Sequence, residues 1–482
     1  MPSQKENCGP TQVEGQMHEV MEWWRRSGME TVSSIYADFI AGMRFENLRS
    51  ETIQQAKKVI MDLMGVSLAG FRAMAFPKMV VDYMLELGGK PEATVIRGKR
   101  KIPAVHAAFA NASCAHALDM DDGHRFAASH PGAVIIPAGI AAAELVEGST
   151  RKLITGIVAG YEIMIRIGRS INPSSLNRGF HITGITGPFG AAAATASIMG
   201  LTREETIAAM GMAGLQSAGL IQVNHEVEGS MVKPLNPGRA AMSGLLSCIL
   251  ARKGARGPVQ IFEGEDGYLK AFSDDAKRGV LTQDLGGDYE ISKVYLKLYS
   301  ACRHAHAPID AAFQAFRKSG VKIEEINNII VETYSAAVRL AGIPHATTPS
   351  AGRFSIPFSV ALALVKQDAG ADTYCEKNVR DQTIQDLASK VELVAGEKWE
   401  ALYPQKRGAT VTIIEKSGRS LSAVVELAKG EPENPASWEE LQQKFRSNVS
   451  LLMSSGECVA LTNLVKNLEN ISLAEFVAAF LN

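Results

Sequence analysis

The sequence predicts a mainly α-helical protein with a second, smaller α+β domain. Helical patterns run almost without interruption from about residue 31 to 283, short β-branched runs follow up to about residue 432, and residues 433–482 turn helical again. A length of 482 residues also favours two or more domains, given roughly 100–200 residues per domain. We therefore predict an extension at 1–30, a helical domain at 31–283, an α+β domain at 284–432 and a helical return at 433–482.

The first helical part begins with a core-facing helix. In "SETIQQAKKVIMDLMGVSLAG" the apolar residues recur every three or four positions, which predicts one buried stripe behind a cap at Ser50. The stripe comprises Ile53, Ala56, Ile60, Leu63, Met64 and the small Ser67.

The following helices are rich in Ala, Gly and Ser, which lets helices approach each other closely. Thr202 and Glu205 form a predicted capping box in "TREE". Gly184, Gly187 and Gly190 are spaced by three and follow no predicted strand, so they indicate close helix contact rather than a phosphate-binding loop.

The α+β part is predicted from four segments with β-branched residues. These segments are "ISKVYLKLYS", "INNIIVETYS", "SKVELVAG" and "GATVTIIEKSGRSLSAVVEL". Residues 416–419, Lys-Ser-Gly-Arg, separate two alternating runs in the last segment and predict a hairpin turn.

Composition excludes several classes of partner. Lys and Arg number 50 against 51 Asp and Glu, so the chain as a whole has no field that would attract nucleic acid or an anionic membrane. The six cysteines are scattered, which predicts free thiols in a reducing compartment. With no secretory signal and no apolar stretch of about 18 residues, we expect a cytoplasmic protein.

The segment "HALDMDDGHRFAASHPG" places three histidines and three aspartates between two apolar runs. Further titratable groups stand in "GFHITGITGPFG" around His181, "EGSMVKPLNPGRAA" around Lys233, "KLYSACRHAHAP" around His304, and "PSAGRFSIPFS" at Arg353. Removal of a proton next to a carboxylate needs a base, together with cations aimed at the developing charge. Asp119, His130 or a neutral lysine fits the first task, and Lys233, a protonated His181 and Arg353 fit the second.

Structural roles compete with this interpretation. A histidine among apolar residues is commonly a hydrogen-bonded core group, Arg353 alone suits an ion pair, and Lys233 alone suits a solvated loop. A metal could use His304 and His306, or the group formed by His116, Asp119, His124 and His130. The chain lacks both H-E-x-x-H and a cysteine–histidine framework, so we predict no metal.

Four motifs in this order resemble the MmgE/PrpD family: "HALDMDDGHRFAASHPGAVIIPA", "GFHITGITGPFGAAAATASIMGL", "MVKPLNPGRAA" and "KLYSACRHAHAPIDA". The resemblance implies a helical domain built from both chain ends, an inserted α+β lid, a homodimer, and neither cofactor nor metal. It also implies an active site between the two domains, with Asp119, His130, His181 and Lys233 as catalytic residues.

The implied activity is that of a lyase, a dehydratase or decarboxylase, on a small di- or tricarboxylic acid such as 2-methylcitrate or cis-aconitate. One departure concerns the substrate, since Gly123 and His124 follow Asp122 where dehydratase and decarboxylase members tend to have threonine. An epimerase of an iminodisuccinate-like acid and a non-catalytic polycarboxylate-binding protein are the alternatives. We expect His124, Arg353 and His304 to bind substrate, and we assign no lid tyrosine.

Overall fold

A computed structural model describes residues 30–224 and 230–481, except for the side chain of residue 481. The extension predicted for residues 1–30 lies outside these ranges, apart from residue 30. The described residues are mainly helical with a small sheet region, which confirms the predicted fold class at that level. The domain boundaries stay predictions.

The helices before residue 300 are α1 (Val32–Gly42), α2 (Ser50–Ala73), α3 (Ala75–Leu87), α4 (Ala104–Ala115), α5 (Gly132–Leu145), α6 (Thr150–Ile171), α7 (Ser174–Asn177), α8 (Ile182–Met199), α9 (Arg203–Leu215), α10 (Leu235–Arg252) and α11 (Tyr268–Phe272). Those after residue 300 are α12 (His306–Ser319), α13 (Ser335–Ala341), α14 (Pro349–Gly352), α15 (Ile356–Lys366), α16 (Glu376–Val379), α17 (Gln382–Ala388), α18 (Glu397–Leu402), α19 (Trp438–Val449), α20 (Ser455–Lys466) and α21 (Leu473–Leu481). The strands are β1 (Ala93–Thr94), β2 (Lys101–Ile102), β3 (Gly123–His124), β4 (Val294–Tyr295), β5 (Ile326–Thr333), β6 (Val391–Ala395), β7 (Ala409–Glu415) and β8 (Ser420–Val425).

Two large hydrophobic clusters form the core of the described residues. The larger one combines buried side chains from residues 36–296 with others from residues 436–480. Phe445 of α19, for example, packs so closely on Gly65 of α2 that a Cβ there would lie 2.7 Å from its ring. The second cluster draws its members from residues 301–428.

The sheet in the second cluster has the strand order β6-β5-β7-β8, with β5 and β6 parallel and the other pairs antiparallel. The predicted hairpin at residues 416–419 is confirmed, because β7 and β8 pair around it. The segment "ISKVYLKLYS" forms only the two-residue strand β4, which pairs with β3. This short pairing joins the segment that contains Asp119 to the segment that contains Lys297.

Local helix predictions are partly confirmed. Thr202 and Glu205 form both bonds of the capping box. Gly187 and Gly190 do serve close helix contact, since an added Cβ would lie 2.8 Å from Ala240 and 2.7 Å from Met164. The predicted cap at Ser50 is wrong, because α2 begins at Ser50 and the preceding arginine makes no side-chain cap.

The five cysteines in the described residues are free thiols, as predicted, and Cys8 lies outside those residues. No single helix in the described ranges is long and apolar enough to cross a membrane. The bent pair α2 and α3 passes the same test of length and composition only when taken together.

Candidate active site

A cavity of about 630 Å³ gathers side chains from distant parts of the chain. Among the described residues, its lining contains eight cations and one carboxylate, that of Asp119. The cations are Arg125, Arg169, Lys233, Lys277, Lys297, Arg303, Arg339 and Arg407. This excess of positive charge favours a small ligand with several negative charges.

Asp119, Lys233 and Lys297 form a lysine–aspartate triad in the cavity wall. Asp119 has φ 49°, a left-handed conformation that aspartate tolerates better than most residues. Its Oδ1 accepts a hydrogen bond from Lys233, and its Oδ2 accepts one from Lys297 at 2.8 Å. Lys297 also donates to the Asp119 carbonyl at 2.7 Å. Both ammonium groups are thereby fixed by one carboxylate.

The ionisation of Asp119 follows from this contact. Burial raises its pKa, but the charges of Lys233 and Lys297 outweigh burial and hold the pKa well below 3.8. The carboxylate therefore stays ionised near neutral pH. A carboxylate with so low a pKa is a weak base, and its main effect is to order the two lysines.

Three histidine rings lie next to the triad. The ring centroid of His116 is 4.9 Å from that of His130 and 5.9 Å from that of His181. Nδ1 of His130 lies 2.7 Å from the Asp122 carbonyl, which can only accept, so this nitrogen carries the hydrogen and Nε2 has a free lone pair. Nδ1 of His181 and Nε2 of His116 are buried without a partner among the described residues.

Burial lowers the pKa of His130 to about 3, and Lys297 is among the cations that add to this effect. Burial, followed by Lys233, likewise holds the pKa of His181 well below 6.5. Both imidazoles are therefore neutral near pH 7. This differs from the protonated His181 expected from the sequence, because burial and the charge of Lys233 disfavour the imidazolium.

Two further aspartates lie behind the histidines. Asp121 Oδ2 is 2.8 Å from His116 Nδ1 and 3.5 Å from His130 Nδ1. Asp122 accepts hydrogen bonds from the Gly132 amide at 2.9 Å and from the Tyr161 hydroxyl at 2.7 Å, so it caps the start of α5. Burial raises the pKa of Asp122 to about 7 against the hydrogen bond from Tyr161.

Four helices begin at the cavity. The starts of α5, α8, α10 and α12 follow within two residues of His130, His181, Lys233 and His304, which all line the cavity. The partial positive charge at a helix N-terminus favours anions, although the first amide of α5 is already bonded to Asp122. The backbone therefore adds to the positive character supplied by the side chains.

Arg125, Arg303 and Arg407, here called the arginine cluster, lie in another part of the lining. Arg125 and Arg303 share the buried Glu431, with nitrogen–oxygen distances of 3.0 and 2.8 Å. Arg407 donates to the Arg125 carbonyl at 2.6 Å. The cluster thus assembles residues that are far apart in the chain.

Tyrosine and histidine side chains complete this part of the lining. His304 Nδ1 lies 2.6 Å from the Tyr334 hydroxyl, and the Tyr403 ring stacks on Tyr334 at 4.5 Å. Burial, followed by Arg407 and Lys297, lowers the pKa of His304 to about 3. His304 therefore enters the cavity as a neutral imidazole.

Five of the seven side chains predicted from the sequence line the cavity: Asp119, His130, His181, Lys233 and His304. Their chemical roles stay predictions. His124 and Arg353 are absent from the described lining. Position therefore gives no support to their predicted role in substrate binding.

His124 and Arg353 instead make contacts within the protein. His124 Nε2 lies 3.3 Å from Glu290, and its Nδ1 accepts from the Ala127 amide at 3.1 Å. Arg353 donates to the Ser300 hydroxyl at 3.1 Å and to the Pro349 carbonyl at 3.0 Å. Both side chains are almost fully buried.

The sequence prediction missed Lys297, Arg303, Tyr403 and Arg407. Lys297 is the first residue of the segment "KLYSACRHAHAP", which was selected for its histidines. A lysine inside the apolar run "VYLKLYS" is itself a sign of a buried cation. Arg407 stands in "YPQKRGAT", where nothing distinguishes it from a surface arginine.

The structure also explains why residue 123 is a glycine. A Cβ at this position would overlap the hydroxyl of Tyr295, a residue that lines the cavity. A threonine could not be placed here unless Tyr295 moved. The cavity therefore has a tyrosine hydroxyl beside the position where the sequence lacks the expected threonine.

His116, Asp121 and His130 are the described residues whose ligand atoms approach as for a metal site, within 4.8 Å of one another. Internal bonds already account for this grouping. His116 Nδ1 bonds Asp121, and His130 Nδ1 bonds the Asp122 carbonyl. The prediction of a metal-free site stays a prediction.

Comparison with known proteins identifies the family. The profile of the MmgE/PrpD N-terminal domain matches residues 35–280, and that of the MmgE/PrpD C-terminal domain matches residues 299–470. The chain belongs to the MmgE/PrpD family. The resemblance seen in the four sequence motifs is thereby confirmed.

Relatives in this family include named enzymes. A cis-aconitate decarboxylase of Aspergillus terreus is 26% identical over 465 residues, covering 92% of this chain and 94% of its own. The human cis-aconitate decarboxylase is 23% identical over 461 residues, covering 92% and 93%. A cis-aconitate decarboxylase-like protein of Aspergillus oryzae is 25% identical over 467 residues, covering 91% and 94%. The MmgE/PrpD chain described here is an enzyme, a carbon–carbon or carbon–oxygen lyase.

Proposed function

We propose that this MmgE/PrpD lyase decarboxylates a small tricarboxylic acid, with cis-aconitate as the first candidate. The observation that carries the proposal is the cavity, where eight cations face one carboxylate and that carboxylate already holds two of the cations. A trianion supplies the missing negative charge. The names of the relatives favour decarboxylation over the other reactions of the family.

The reaction needs charge stabilisation and a proton. The bond between a carboxylate carbon and its neighbour breaks, CO2 leaves, and the electron pair stays on the carbon skeleton. In cis-aconitate the pair can shift along the double bond to the carbon next to another carboxylate, where a proton completes the product. Lys233 and Lys297 are suited to stabilise the anionic intermediate, because Asp119 fixes both ammonium groups in the wall.

His130 is our candidate for the proton transfer. Its Nδ1 bonds the Asp122 carbonyl, which leaves Nε2 to exchange a proton with a ligand in the cavity. Burial is the main cause of the low pKa of His130, and the charges of Lys297 and Lys233 add to it. A bound polycarboxylate places negative charge near the ring, which raises the pKa and favours proton uptake as the substrate binds.

The other functions considered from the sequence receive less support. The epimerase alternative depended on Gly123 and His124, yet Gly123 makes room for Tyr295 and His124 bonds Glu290 outside the cavity lining. The non-catalytic alternative does not account for the neutral His130 and His181, each with a free ring nitrogen, beside a fixed pair of lysines. A homodimer, independence of cofactors and a cytoplasmic location stay predictions.

The direct test is to incubate the purified protein with cis-aconitate, citrate and 2-methylcitrate. Proton NMR follows the carbon skeletons, and a coupled assay follows CO2. We expect stoichiometric CO2 release from cis-aconitate. Loss of water from 2-methylcitrate without CO2 release would favour a dehydratase, exchange of substrate hydrogen with D2O without net elimination would favour an epimerase, and no turnover of any acid would contradict a tricarboxylate lyase.

A further inference from the structure

Arg407 is the cation of the described cavity lining that is buried without a carboxylate within 4 Å. Lys233 and Lys297 bind Asp119, Arg125 and Arg303 bind Glu431, and Arg169 binds Glu290. Lys277 and Arg339 lack a carboxylate within 4 Å in the described residues, but both side chains are exposed to water. Arg407 is 9% exposed and has no such carboxylate among the described residues either.

The hydrogen bonds of Arg407 are also incomplete. One terminal nitrogen donates to the Arg125 carbonyl at 2.6 Å, whereas the buried Nε has no partner among the described residues. A guanidinium removed from water without a counter-charge is unfavourable. Its planar fork of donors matches a carboxylate with two parallel hydrogen bonds.

Arg407 lies near His304 and Tyr295. The charges of Arg407 and Asp119 both act on the pKa of His304 and on that of Tyr295, so both charges are close to these two side chains. Tyr403, His304 and Arg407 all line the cavity. A ligand in this cavity can therefore contact the triad with one end and Arg407 with another.

We propose that Arg407 binds a carboxylate of the substrate remote from the reacting carbon and thereby selects tricarboxylates over dicarboxylates. This inference rests on the proposed function, because it assumes that the reacting end lies against Lys233 and Lys297. Arg407 would then bind the substrate in the role that the sequence analysis expected for Arg353. The charge of Glu431 acts on Arg407 only from beyond 4 Å, and a substrate carboxylate would supply the direct contact.

The test measures binding and needs no turnover. Propane-1,2,3-tricarboxylate cannot lose water, and it is compared by calorimetry with glutarate, which lacks the central carboxylate, and with methylsuccinate, which lacks a terminal one. We expect the wild type to prefer the tricarboxylate. Arg407→Gln should reduce this preference about tenfold or more, the effect of losing a charge-assisted hydrogen bond.

Controls separate this effect from net charge and from folding. Arg419→Gln removes an arginine from the exposed β7–β8 hairpin, outside the cavity lining, and should leave the preference unchanged. Melting temperatures without ligand report folding. If Arg407→Gln does not fold, Arg407→Lys decides, because a lysine keeps the charge without the fork and should still weaken the preference.

The outcomes distinguish this inference from the proposed function. An unchanged preference in a folded Arg407 variant, or an equal loss for all three acids, would overturn the role of Arg407 even if cis-aconitate is decarboxylated. A lost preference together with no turnover of cis-aconitate would support Arg407 and contradict the proposed reaction. Absence of tricarboxylate binding by the wild type would overturn the inference.

Discussion

The lysine–aspartate triad and the arginine cluster line the same cavity but compensate their charges differently. In the triad the carboxylate of Asp119 itself lines the cavity and contacts both lysines. In the arginine cluster Glu431 binds two guanidinium groups and is absent from the described lining, and Arg407 has no carboxylate within 4 Å among the described residues. The comparison suggests that one region positions charge for chemistry, while the other supplies charge for binding.

The difference also has a structural origin. Lys233 is followed immediately by α10, and Asp119 and Lys297 flank the pairing of β3 with β4, so helix starts and a short strand pair determine the triad. The arginine cluster depends instead on residues outside the sheet and the long helices, of which Arg125 and Arg303 meet at Glu431. Its geometry therefore relies more on its own ion pairs.

The largest effect should come from Glu431→Gln, which tests this reliance. It removes the buried charge shared by Arg125 and Arg303, and breaking such a pair typically costs about 3–5 kcal/mol of folding free energy. The midpoint of urea unfolding should fall accordingly. Glu433→Gln is the matched control, since Glu433 also pairs with Arg125 but is half exposed and should cost at most about 1 kcal/mol. Equal losses in the two variants would contradict the comparison.

Lys233→Ala tests the catalytic side. The lost ammonium should lower turnover about 100-fold or more if it acts on the transition state, which is about 2.7 kcal/mol. Steady-state kinetics on cis-aconitate provide the measurement, and circular dichroism checks that the fold survives. Lys318→Ala, on the exposed side of α12, is the control for loss of a lysine. Near-full activity of Lys233→Ala would show that the triad does not stabilise the reacting charge.

The sequence predicted the triad region better than the arginine cluster for a physical reason. His130, His181 and Lys233 interrupt apolar or glycine- and proline-rich segments just before helices, where a polar side chain stands out. Arg407 lies among polar residues, and only tertiary structure removes it from water. Burial of a long cation on a loop leaves no periodic pattern to detect.

The same reasoning explains the helices and strands. The alternation in β7 and β8 and the Ser-Gly turn predicted the hairpin, because one face of the sheet is buried. The segment "ISKVYLKLYS" suggested a longer strand, but Lys297 turns to Asp119 and the pairing stops after Tyr295. His124 and Arg353 were predicted in the site from their neighbours in sequence, whereas Glu290 and Ser300, from another segment, hold them outside the lining.

Asp122→Asn should have a pH-dependent effect on stability. The pKa of Asp122 is about 7 in the folded protein and near 3.8 when unfolded, so between these values the folded state binds the additional proton. Stability from this group is present at low pH and is lost as pH rises through 7. Asparagine mimics the protonated acid toward Gly132 and Tyr161.

The measurement is the free energy of unfolding of both proteins from pH 5 to pH 7. The value for the wild type minus that for Asp122→Asn should fall by about 2 kcal/mol over this range, at 1.36 kcal/mol per pH unit and with rounding near the pKa. The buried histidines contribute the opposite slope, but they are common to both proteins and cancel. A difference in unfolding free energy that does not change from pH 5 to pH 7 would mean that Asp122 is ionised throughout this range, as Asp119 is.

The smallest effect on substrate affinity should come from His124→Gln. This variant tests whether the cavity wall excludes residue 124. His124 bonds Glu290, and Glu290 still has Arg169 and Lys293 as partners when the imidazole is lost. We therefore expect KM to change less than about threefold, below about 0.7 kcal/mol, with some loss of melting temperature from the lost bond to the Ala127 amide. His304→Gln is the matched variant, because His304 lines the cavity beside Arg407 and its loss should raise KM more. A tenfold rise in KM for His124→Gln at unchanged melting temperature would place His124 in contact with substrate. The cavity wall would then extend beyond Arg169 to include His124, as expected from the sequence.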